Sequence, residues 1–153
     1  MRLLLLLHGH ADPQTTSDAA RRLTVHGRQE VLQSAAHLLG RPIEAILCSP
    51  YVRARQTAEL VGEALHCMSI LEIVPWLVPE SNVADALSHL AHRSEAEILL
   101  VSHQPLIGAL GGMLEHGHRK QPMPMATASL AGLDGALALA GGMQLSLLFH
   151  PAS

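Results

Sequence analysis

Along this chain short apolar runs alternate with longer stretches of helical period. Leu3 to Leu7 is an unbroken run of leucines, Ile98 to Val101 is a second apolar run, and Ala45 to Cys48 is a shorter one bounded by Pro42 and Pro50. Runs of this length without polar alternation mark strands covered on both faces, expected here to lie centrally and parallel. Val25, Val31, Leu32, Ala35, Leu38 and Leu39 recur in rough three-to-four spacing after a capping Thr24 and before Gly40, which predicts a helix over 25–39. Similar spacing predicts helices over 52–65, from Ser81 or Asn82 to His92, and from Pro105 to Glu115. The last would bury Leu106, Ile107, Leu110, Met113 and Leu114, with Gly108 and Gly112 allowing close contact with the sheet. An edge strand over 70–74 and a C-terminal hairpin built from 128–133 and 142–149 complete the pattern. The expectation is an α/β fold in three layers, with a largely parallel central sheet, helices on both faces, and one domain over 1–153.

Composition narrows the function classes. Hydrophobic residues make up 48% and charged residues 15%, enough apolar material for a buried core and too little charge for disorder. Only Tyr51, Trp76 and Phe149 are aromatic, and the ten Lys and Arg are scattered in a chain of net charge -3. Neither nucleic acid nor a membrane surface is an expected partner. Cys48 and Cys67 form no CxxC and suit a reducing compartment. The opening leucine run stops at His8, short of the roughly 7–15 residues of a signal peptide, and no apolar run approaches about 18. A cytoplasmic location is expected.

The chain contains no GxxxxGK[ST], GxGxxG or GxSxG, and its only lysine is Lys120. What remains is a set of polar residues directly after the three central strands, where open α/β sheets bind their ligands: His8, Ser49 with Arg53, and His103. Gly9 lets backbone amides approach an anion, a neutral imidazole is a competent nucleophile, and Arg53 or Arg55 at a helix start offers a fork to phosphate oxygens. Taken singly, each has an ordinary explanation as a loop histidine, an N-cap pair or a solvated helix face. Three converging strand tips do not.

His8-Gly9, the run Ser49-Pro50-x-x-Arg53-Ala54-x-Gln56-Thr57 and Ser102-His103-x-Pro105 resemble the histidine phosphatase superfamily, in its phosphoglycerate mutase-like branch. Small size, Leu23-Thr24-x-x-Gly27 and the segment 101–108 make the chain most similar to the bacterial phosphohistidine phosphatases of that family. The resemblance implies that His8 is the nucleophile that becomes phosphorylated, that Arg53 and His103 bind the phosphoryl group, and that no metal or other cofactor is needed. It implies a phosphorylated protein carrying phosphohistidine in a signalling relay, or a small phosphate compound, as substrate. The chain departs from the family at one position, where Leu7 stands in place of an arginine that contacts phosphate. Arg21, Arg22 and a protonated His10 are the groups able to take its place, and Glu80 is the candidate general acid.

Two other readings follow from the same residues. With Leu7 the domain could serve as a catalytically weak phosphate or phosphopeptide-binding module. His8-Gly9-His10-Ala11-Asp12 also matches H-x-H-x-D, which would place His8, His10 and Asp12 on one metal in a hydrolase. A cysteine phosphatase would need Cys-x5-Arg, and Cys48 precedes Arg53 by five positions and Arg55 by seven. Cys48 therefore reads as a buried strand residue.

Overall fold

The computed structural model describes residues 1–13 and 16–152. The leucine run forms β1 (Arg2–Leu7), flanked in the sheet by the strand of the 98–101 run on one side and by the first strand of the C-terminal hairpin on the other. The remaining strands are β2 (Ala45–Cys48), β3 (Leu71–Ile73), β4 (Glu97–Ser102), β5 (Leu130–Gly135) and β6 (Met143–Phe149), in the order β3-β2-β4-β1-β5-β6. The pairs β1 with β4, β4 with β2 and β2 with β3 are parallel, while β5 and β6 close the sheet as an antiparallel hairpin. Helices α1 (Val25–Ala36), α2 (Val52–Ala64), α3 (Val83–Ala91) and α4 (Leu106–His116) make up the outer layers. No helix among the described residues is long and apolar enough to cross a membrane.

Period-two side-chain alternation splits the leucines of β1 between two cores. Leu4 and Leu6 pack with Val31, Ala35, Ala54, Ala58 and Val61 beneath α1 and α2. Leu3, Leu5 and Leu7 pack with Leu77, Leu90, Leu106 and Leu110 beneath α3 and α4. Helix boundaries differ slightly from those expected. Helix α1 begins at its Thr24 cap, whose hydroxyl accepts from the Gly27 N–H, but ends at Ala36, three residues early. Val25, Leu32 and Leu39 are exposed, and Glu30 and Ser34 are buried in their place. Helix α4 starts one residue late, with Pro105 as its cap. A Cβ on Gly108 would meet the Met123 carbonyl at 2.6 Å, and one on Gly112 would meet that of Gln121 at 2.2 Å. These glycines therefore admit the 121–123 loop rather than the sheet.

Candidate active site

Strand register assembles the site. Leu7 pairs with Ser102 and Cys48 with Val101, so His8, Ser49 and His103 leave the sheet side by side. Backbone bonds fix the exit points, with the His8 N–H on the Ser102 carbonyl and the Ser49 N–H on that of Val101, both at 3.1 Å. Behind His8, the Ala128 N–H donates to its carbonyl at 2.9 Å. Ala128 itself has φ 56, a left-handed conformation unfavourable for alanine, and its own carbonyl accepts from the buried Ser34 hydroxyl.

Arg53, in the first turn of α2 and 4% exposed, reaches back over the strand ends. Its Nε donates to His8 Nε2 at 3.2 Å, and its two terminal nitrogens donate to the Asp18 carbonyl at 2.6 Å and to Asp18 Oδ2 at 3.2 Å. His8 Nδ1 lies 2.8 Å from the Gly9 carbonyl, which can only accept, so Nδ1 carries the ring proton and Nε2 presents a lone pair. The His103 ring stands 5.1 Å from the His8 ring, and that of Tyr51 stands 5.0 Å from His103. Burial pushes the His8 imidazolium down to about 4, with Arg53 adding to the effect, and burial together with His8 and Arg53 pushes His103 down to about 3. Both rings are neutral at pH 7. The cluster sits by the start of α2, where unpaired amides and the helix dipole favour an anion. A basic ring nitrogen, a buried guanidinium and a second imidazole in this arrangement suit attack on a phosphoryl group and stabilisation of its charge.

The family model described as histidine phosphatase superfamily (branch 1) matches residues 3–76. The chain is 37% identical over 134 residues to the phosphohistidine phosphatase SixA of Escherichia coli strain K12, covering 84% of this chain and 81% of that protein. It belongs to the histidine phosphatase superfamily. A SixA homolog of Haemophilus influenzae is 31% identical over 165 residues, covering 100% of this chain and 96% of that one. The solved structure of the protein histidine phosphatase SixA complexed with tungstate superposes with a TM-score of 0.88 at 31% identity, covering 99% of this chain and 97% of that one. The largely parallel three-layer arrangement is thus the fold of this superfamily.

Within this histidine phosphatase domain the other expected site residues divide. His8, Arg53 and His103 converge. Arg21 lies at the margin, its Nη1 on Asp18 Oδ1 at 3.1 Å and its Nε on the Asp12 carbonyl at 3.0 Å. Asp18 thus bridges Arg21 and Arg53, and these two arginines hold its carboxyl below the usual range. Arg22 is exposed and contributes its backbone carbonyl to Asp12. His10 turns away, with Nδ1 2.9 Å from Thr24 Oγ1 and its ring edge toward His26. His8, His10 and Asp12 therefore do not form a metal centre, and among the described residues no group of three His, Cys, Asp or Glu side chains is placed to hold one. The Gly9 N–H is taken by Thr57 Oγ1 at 3.2 Å, and a Cβ there would meet the Gly27 carbonyl at 2.6 Å, so this glycine serves packing against α1. Glu80 accepts from the Tyr51 hydroxyl at 2.7 Å and reaches the site through that ring. Cys48 is fully buried, with its thiol pushed up to about 12 by burial.

Sequence reasoning missed Asp18 and Glu30, and it gave no role to Tyr51 or to Thr57, although Thr57 ends the motif run 49–57. Thr57 had a usable signal, since it lies four residues after Arg53 and shares its helix face. Glu30 is 7% exposed, accepts from the His10 N–H at 2.9 Å and from the Thr127 hydroxyl, and so ties the loop after His8 to α1 and the segment before β5. Its position within the run of polar residues 28–30 gave no hint of burial.

Proposed function

We propose that this domain is a phosphatase that works through a phosphohistidine intermediate on His8, with protein phosphohistidine as its substrate. The observation that carries the reading is the His8 lone pair on Nε2, fixed by the Gly9 carbonyl and faced by the buried Arg53 at 3.2 Å. His8 Nε2 attacks phosphorus, the P–N bond to the substrate imidazole breaks, and water then hydrolyses the phosphoenzyme to release phosphate and regenerate His8. Arg53 and His103 stabilise the phosphoryl oxygens in both steps, and Arg21 is the candidate for the second guanidinium. A phosphoramidate leaving group needs less proton assistance than an alkoxide. The exposed Glu80, reached through Tyr51, is the candidate donor for any assistance required. The names of the SixA relatives support phosphohistidine as the substrate class, and tungstate in the similar structure is an oxyanion like phosphate.

The test is release of phosphate from a phosphohistidine-carrying protein domain and from p-nitrophenyl phosphate, each assayed in EDTA. Turnover and an acid-labile phosphoenzyme are expected for the wild type and for Cys48→Ser, and neither for His8→Ala. Loss of activity in EDTA with recovery on adding zinc would replace this reading with a metal-dependent one. Tight phosphate binding without turnover would favour the binding module that buried, apolar Leu7 allows.

A further inference from the structure

The two imidazoles of the site need opposite polarity. His8 must present a lone pair, and a partner that stabilises phosphoryl oxygens must present an N–H. The Gly9 carbonyl sets the first ring. The second ring is His103, 1% exposed, whose Nε2 lies 2.7 Å from Ser49 Oγ. Among the described residues its buried Nδ1 has no hydrogen-bond partner.

We infer that Ser49 is a positioning residue that fixes the tautomer of His103, holding the ring proton on Nδ1 so that this nitrogen donates to the phosphoryl group. The argument is a count of protons around one hydroxyl. Ser49 is fully buried, and its Oγ accepts from the Tyr51 N–H at 3.2 Å, a bond set by the turn into α2. The hydroxyl has one proton to give. If His103 carried its proton on Nε2, Ser49 would accept twice and its own proton would be left buried without an acceptor. His103 Nδ1 would then offer a lone pair to an anionic substrate and repel it. If Ser49 donates instead, the Tyr51 N–H, the hydroxyl proton and the Nε2 lone pair are all satisfied together. Nδ1–H is then left as the donor for substrate. Double protonation does not intervene at neutral pH, because burial and the neighbouring His8 and Arg53 hold the ring's pKa down to about 3. A carboxylate in place of Ser49 would polarise the ring more strongly but would set a negative charge beside the phosphate. A neutral hydroxyl sets the tautomer without that repulsion.

The catalytic consequence rests on the phosphatase reading, but the tautomer is a property of the free protein and can be read without turnover. In a long-range proton–nitrogen correlation spectrum of the 15N-histidine-labelled wild type at pH 7, His103 is expected to show a protonated Nδ1 and a bare Nε2. Titration with inorganic phosphate should move the Nδ1 resonance most. A proton found on Nε2 overturns the inference whatever the activity, and needs no variant that has to fold. Ser49→Ala should shift the ring toward Nε2–H and lower kcat by about tenfold with a smaller change in KM. Ser49→Thr, which keeps the hydroxyl, should restore Nδ1–H. A folded Ser49→Ala protein with Nδ1–H intact and kcat within about twofold of wild type would also overturn it. If the protein hydrolyses nothing yet His103 is protonated on Nδ1, the phosphatase reading fails and the tautomer assignment stands.

Discussion

The two faces of the sheet bury different kinds of residue. Under α1 and α2, apolar packing is interrupted by Glu30, Ser34, Arg53 and Thr57, each buried and each bonded to a loop of the site. Gln56 on the same layer accepts from the Leu23 N–H. Under α3 and α4 the buried side chains are mainly leucines, from Leu3 and Leu5 to Leu106, Leu110 and Leu114. One helical layer thus holds the loops that carry chemistry, and the other supplies burial. This division predicts that conservative changes under α2 act on rate, whereas truncations under α4 act on stability.

The largest contrast expected is between Arg53→Lys and Leu106→Ala. Lysine keeps the charge but loses the planar fork that reaches His8 and Asp18 together. The rate kcat/KM should fall about 10²–10³-fold with little change in thermal midpoint. Leu106 is 2% exposed, so its truncation should cost about 2–5 kcal/mol in a denaturant titration while the folded fraction retains wild-type kcat. An Arg53→Lys protein that unfolds early but turns over normally would remove the distinction.

The same division explains what the sequence made legible. Apolar runs such as Leu3–Leu7 and Ile98–Val101 announce buried strands because both faces must be covered, and the residues at their tips are then placed by parallel register. His8, Ser49 and His103 could be brought together from pattern alone, and the resemblance added roles for His8 and His103. The α1 and α2 layer was harder to read. Val25 and Leu32 fit the helical period yet face solvent, whereas Glu30 and Ser34 are buried because they satisfy the backbone of loops remote in sequence. Asp18 was illegible for a similar reason. Its value lies in two arginines that the fold brings to it, and no local period encodes that meeting.

A second, smaller effect should appear on acidification. His8 and His103 titrate at about 4 and about 3 in the folded protein, below the ordinary 6.5, chiefly because they are buried. The nucleophile acts as the neutral ring, so kcat/KM should be flat from pH 7 down to about 5. It should then fall about tenfold per unit below pH 4. The unfolded chain takes up these protons first, so stability is greatest above pH 6.5 and declines as pH falls from 6.5 toward 4. Thermal midpoints measured across that range should drop with acidification. An acid limb centred near 6.5 would mean that water reaches both rings freely and that the site is not dry.

The smallest effect concerns Leu7, on the apolar face and directly before His8. Leu7 is 5% exposed and packs in the α3 and α4 core, at the position where the resemblance implies a phosphate-binding arginine. Arg21 shares Asp18 with Arg53, and it is the guanidinium proposed above to serve in place of that arginine. If it does so, Arg21→Ala should lower kcat/KM by about tenfold, close to 1.4 kcal/mol and in the range of one charge-assisted hydrogen bond. Leu7→Arg should raise the wild-type value by only about threefold, because the position is already served, but should recover about tenfold in the Arg21→Ala background. It should also lower the thermal midpoint, since the leucine's contacts in the core are lost. The coupling between the two sites is therefore the quantity to measure in a double-mutant cycle. Additive effects, with Arg21→Ala silent and Leu7→Arg raising the rate tenfold by itself, would show that the site works with Arg53 as its one guanidinium and that Arg21 does not compensate for Leu7.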